Sequence, residues 1–128
     1  MICLTRMTSF IVIIIIMGIL GAAPAPVCAS EWNRTATIME ASYAALSTID
    51  CGQTIALSKQ GVVETNLVLG DHPSKSNIIF YFAGTTLAHS IISYALPKDY
   101  RVVWQALTLG VEITATSMNY RSGIRLSF

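Results

Sequence analysis

Tyr43, Ser47, Asp50 and Thr54 recur at steps of four, three and four along an apolar stretch, with Glu40 and Gln53 flanking them. Phe82, Thr86, His89 and Ser93 repeat the pattern in a second stretch, and Gln105, Leu109, Glu112, Thr116 and Asn119 in a third. Side chains at such intervals leave a helix from one face. Two carboxyls and one imidazole brought together have the chemistry of a proton site. They could equally ligate a divalent metal, but Asp50, His89 and Glu112 on three separate stretches carry no metal-ligand spacing. The plainer role is structural, with the groups hydrogen-bonding one another and fixing how helices pack. No Ser-His-Asp order, Gly-rich phosphate loop or paired CxxC is present. The chain therefore reads as a non-enzyme that needs no cofactor.

Three helices must position these groups, over about 32–57, 77–96 and 101–120. Ser30 is the expected N-cap of the first, with Glu31 in its first turn. Asp71 or Ser74 is expected to cap the second, with Pro73 beside it. Pro97 ends the second, and the short link Lys98-Asp99-Tyr100 predicts that helices two and three are antiparallel neighbours. In an up-down-up bundle, at about 1.5 Å per residue, Asp50 and Glu112 lie roughly 10–12 Å below one end and His89 about 18 Å below it. Asp50, Gln53, Thr86, His89 and Glu112 are thereby expected to converge in one buried site, with Asn119 completing a polar seam.

The fold class expected is all-α, a small three-helix transmembrane bundle preceded by a signal peptide or anchor helix. The chain has 128 residues, 53% hydrophobic and only 12% charged, about half the charge of an ordinary soluble domain. Its mean hydropathy is +0.59. Ionisable groups inside a membrane are costly and turn inward, which is what the seam requires. Helices two and three approach the roughly 20 residues of a bilayer span. Helix one is the least certain span, because Glu40 and Asp50 interrupt it. A net charge of +1 without a basic cluster excludes nucleic acid as a partner. The partners expected are the lipid bilayer and either another membrane protein or further copies of the chain.

Residues 1–29 have the parts of a secretory leader: Arg6, the apolar run Phe10–Leu20, helix breakers from Gly21 to Pro26, and small residues in Val27-Cys28-Ala29. Cleavage is expected after Ala29, with an uncleaved anchor as the competing reading. Residues 30–128 form the helical membrane domain. Cys3 and Cys28 fall in the leader, leaving Cys51 as a packing residue. Arg34, Lys98 and Arg101 mark one end of the bundle, and Lys59, Lys75, Arg121 and Arg125 the other. The positive-inside rule and the leader both predict a multi-pass protein of a bacterial inner membrane, with a periplasmic mature N-terminus and a cytoplasmic C-terminus.

Between helices one and two runs VVETNLVLGDHPS, in which Glu64 and Asn66 are placed to cap helix two or reach the seam. The pattern Asp50-x-x-Gln53-Thr54, Glu64-Thr65-Asn66-x-x-Leu69-Gly70-x-His72-Pro73-Ser74, then Tyr81-Phe82, resembles a group of small, uncharacterised membrane proteins of proteobacteria and their phages. The resemblance covers most of residues 46–128, including Trp104-Gln105, Glu112 and Asn119. Leu67 stands where many members have Pro, so the turn is expected to differ. The group has no assigned activity, and the resemblance implies architecture and bacterial origin only. Two functions compete: a structural, accessory or interaction protein of the inner membrane, and a proton- or cation-binding transport element acting as a homo-oligomer.

Overall fold

The computed structural model describes residues 32–61 and 68–126, and every regular element among them is helical. The helices are α1 (Arg34–Lys59), α2 (Lys75–Ala95) and α3 (Lys98–Arg121). The leader, Ser30, Glu64 and Asn66 lie outside the described residues.

Local chemistry sets the helix ends. Asn33, rather than Ser30, caps α1: its Oδ1 accepts the Ala36 N–H at 2.9 Å, satisfying a donor that the helix itself leaves unpaired. Ser74 caps α2, accepting from the Asn77 N–H at 3.2 Å. Asp71, the other candidate, does not. Pro97 stops α2 and serves as the residue before α3, so α3 begins three residues earlier than Arg101. At the far end of α3, Gly123 adopts φ +88°. The Ile124 N–H then returns to the Asn119 carbonyl and the Gly123 N–H to that of Tyr120, at 3.0 and 3.1 Å, a complete Schellman closure.

α1 is the central helix. Its backbone packs most extensively on α3 and next on α2, whereas the α2 and α3 backbones approach each other closely at few points. The short link makes α2 and α3 sequential and antiparallel, but not the packed neighbours that its length suggested. The reason is the surface of α1, where buried Ala36, Ser47, Gly52, Thr54 and Ala56 let both other helices approach closely. A compact apolar cluster of Ile55, Ile78 and Phe82 joins α1 to the start of α2, with Cys51, Leu69 and Tyr81 against it.

Arg101 closes the α2–α3 corner. It is 1% exposed, and its Nε donates to the Ser93 carbonyl at 2.6 Å and its Nη2 to that of Leu96 at 2.9 Å. The carbonyls at a helix C-terminus have no helical partner and carry negative partial charge, so a guanidinium suits them. The Trp32 ring covers it at 5.0 Å, a cation–π contact.

Among the described residues, α2 is the one helix long and apolar enough to cross a membrane by length and composition, and 22% of its apolar window is buried within the bundle. α1 and α3 were expected to be spans as well. They fall short on composition, since Glu40 and Asp50 interrupt α1, and Lys98, Asp99, Arg101 and Glu112 punctuate α3.

Candidate functional site: two polar centres joined by Tyr43

The seam residues do not form one site. They form two centres, one above the other along the bundle.

The upper centre is built on Glu40. Its Oε1 accepts the Ser90 hydroxyl at 2.6 Å and faces His89 Nδ1 at 3.0 Å. Its Oε2 accepts the Gln105 amide at 3.0 Å, and that amide also reaches the Ala36 carbonyl at 3.2 Å. One carboxylate thereby ties all three helices together. The other imidazole nitrogen, Nε2, lies 2.8 Å from the Thr108 hydroxyl. The ring is clamped between Tyr43, stacked at 3.7 Å, and Trp104 at 5.3 Å.

Two proton arrangements satisfy this centre. The Thr108 hydroxyl can donate to the Trp104 carbonyl, 2.8 Å away, while a cationic imidazole donates from both nitrogens. Alternatively a neutral imidazole donates from Nδ1, and Thr108 turns its proton to Nε2. The heavy atoms stand in place for either.

Hydroxyl, imidazole and carboxylate in line have the order of a nucleophilic triad. Here, however, Thr108 is buried, and aromatic rings cover both faces of the imidazole.

The lower centre is acidic. Asn119 Nδ2 donates to Asp50 Oδ1 at 2.9 Å. Glu112 lies within electrostatic reach of Asp50 and of the Tyr43 hydroxyl. Gln53, 3% exposed, donates to the Thr116 carbonyl at 3.3 Å. Tyr43 lies between the centres, with its ring stacked on His89 and its hydroxyl within electrostatic reach of Glu112.

The remaining expected site residues have separate places. Thr86 pairs with Ser47 at 3.0 Å, outside both centres. His72 is exposed in the turn before α2. Asp50, Glu112 and Asn119 are brought together, while His89 joins Glu40 instead of Asp50.

Sequence reasoning treated Glu40 as a flank and missed Ser90 and Thr108. The signal for Glu40 was present: it precedes Tyr43 by three residues and so extends the same helix face by one turn. Thr108 likewise follows Gln105 by three.

No protein-family model, curated protein or solved structure matches the chain. The functional reading therefore rests on the geometry.

Proposed function

We propose that the chain is a small integral membrane protein of structural or accessory type, all three helices spanning the bilayer and the two polar centres holding them in register. One observation carries this reading: beside a small apolar cluster, many polar side chains are inside and many large apolar ones outside. Gln105, Arg101, Ser93 and Ser47 are each 1% exposed or less, while Phe80 is 76%, Leu87 63%, Ile91 60% and Val103 54% exposed. In water each apolar side chain left exposed forgoes roughly 1.5–3 kcal/mol of burial. In lipid the same surface is solvated, and Arg101, Ser47 and the Gln105 amide nitrogen find partners within the bundle, whereas Ser93 Oγ and Gln105 Oε1 are buried without one.

Helices of 26 and 24 residues reach about 39 and 36 Å, more than the ~30 Å hydrocarbon core. Their charged residues turn inward or sit at the ends. The inner membrane, with a periplasmic α1 start and cytoplasmic C-terminus, follows from the leader and the cation distribution. The test is a carbonate wash of a membrane fraction. Retention in the pellet is expected, and release to the supernatant would reject the reading. Crosslinking followed by affinity capture from the same membranes then identifies the protein partner or further copies of the chain.

A second reading, a proton-binding transport element acting as a homo-oligomer, is favoured by the Glu40–His89–Thr108 geometry. That geometry accommodates a proton gained or lost without moving heavy atoms. Among the described residues no three His, Cys, Asp or Glu side chains gather as a metal site needs, so a proton fits this reading better than a divalent cation. Proteoliposomes carrying an internal pH dye discriminate the readings. Proton flux abolished by His89→Gln supports transport, and no flux above empty vesicles supports the structural role.

A further inference from the structure

We infer that the groove between α1 and α2 holds an acyl chain of an anionic phospholipid, with its headgroup at Lys75. This rests on the membrane reading above.

The groove has a volume of about 610 Å³, within the range of small-ligand sites. Its walls are apolar, formed by Ala44 and Ile55 of α1 and Ile79, Phe82, Ala83 and Leu87 of α2. Its floor carries four hydroxyls, which in sequence look unsuited to hydrocarbon. All four are hydrogen-bonded within the protein, and three of their four protons are committed there. Ser47 and Thr86 bond each other at 3.0 Å, Thr48 donates to the Ala44 carbonyl at 2.8 Å, and Ser90 donates to Glu40 at 2.6 Å. A hydroxyl with its proton committed costs little against a methylene chain, whereas a free one would cost a lost hydrogen bond. The floor is thus largely satisfied within the protein, and the groove accepts an apolar occupant.

Its length and its charged end say which occupant. From Ala44 to Ile55 the groove wall runs about 16 Å at the helical rise, matching the ~15 Å of one leaflet of a ~30 Å core. Lys75 lines one end only. It is the first residue of α2, where the helix dipole is positive. Ser58 donates to the Pro73 carbonyl at 2.9 Å, which holds the α1 terminus, with Lys59, at the same level. A cation at headgroup depth above a chain-length apolar groove matches a lipid that is anionic at one end and hydrocarbon along the rest. It also lies at the predicted cytoplasmic end, where anionic lipids attract basic residues.

The experiment uses the full chain, purified in mild detergent from vesicles containing equal phosphatidylglycerol and phosphatidylcholine, with retained lipid identified by native mass spectrometry. Wild type should retain phosphatidylglycerol about five-fold over phosphatidylcholine, the ratio that ~1 kcal/mol per lysine at an anionic surface converts to. Lys75→Gln should abolish the preference. Ala83→Phe, which fills the groove, should lower total retained lipid while Lys75 stays in place. Equal retention of both lipids by wild type, or a preference that survives both substitutions, would overturn the site. A disulfide between Cys51 side chains of two copies, formed by mild oxidation of the Cys3→Ser, Cys28→Ser variant, would put a second copy in the groove and also overturn it. Carbonate retention is measured on the same membranes. Release would remove the membrane reading and the lipid site together, whereas retention without headgroup preference removes the lipid site alone.

Discussion

Glu40 of α1 and His89 of α2 face each other at 3.0 Å, and the same carboxylate takes up Ser90 and Gln105. Glu40→Ala removes the acceptor that His89, Ser90 and Gln105 share, leaving Ser90 and Gln105 only the Thr86 and Ala36 carbonyls. At about 0.6 kcal/mol for each such bond in a membrane, the loss should be roughly 2 kcal/mol. Glu40→Gln keeps an acceptor oxygen and should lose less than half of that. Thermal or denaturant unfolding of both variants in detergent measures the difference. Equal losses would mean that the carboxylate does not organise the centre.

Tyr43 offers a separation of ring from hydroxyl. Tyr43→Phe keeps the stack on His89 and removes only the hydroxyl near Glu112, so it should cost at most roughly 0.6 kcal/mol. Tyr43→Leu also removes the stack, worth about 0.5–1.5 kcal/mol more. The two should therefore differ clearly in midpoint of unfolding, with Leu the worse.

The division into two centres predicts a pattern of coupling. Asp50→Ala and Asn119→Ala remove opposite ends of one hydrogen bond, so the double variant should deviate from additivity by about 0.5 kcal/mol or more. Glu40→Ala with Asn119→Ala joins different centres and should be additive within about 0.3–0.5 kcal/mol. Strong coupling in the second pair would restore a single convergent site.

Asp50 also discriminates structure from proton binding. If its role is to hold Asn119, Asp50→Asn preserves stability and any function better than Asp50→Leu, because an amide oxygen still accepts. If the lower centre must titrate, Asn and Leu are equally damaging. Unfolding midpoints beside the vesicle flux assay separate the two outcomes.

Arg101→Lys tests the corner. A lysine keeps the charge but not the planar fork that reaches Ser93 and Leu96 together. It should destabilise by about 1–2 kcal/mol, the scale of one lost hydrogen bond to a charged group. Arg101→Met should be worse, because the α2 carbonyls lose every donor. Amide exchange at the last turn of α2 should rise in both.

The helices themselves were legible in the sequence. Their number, type and limits to within about three residues follow from apolar run length, Pro97, Ser74 and the glycines, because helix formation and termination are local. The inward set was legible too, since a 3.6-residue period assigns faces: Tyr43, Ser47, Thr54, His89, Ser93, Gln105 and Thr116 are all buried. What periodicity cannot supply is which residue of one face meets which residue of another. Depth counting put His89 with Asp50 and Glu112. It assumed three equally packed rods, whereas α1 packs closely on both other helices and the α2 and α3 backbones approach each other at few points. That unequal packing brings His89 to Glu40 and leaves Asp50 to Asn119. Pairing is decided by the relative shift of whole helices, a property of packing that no single helix encodes.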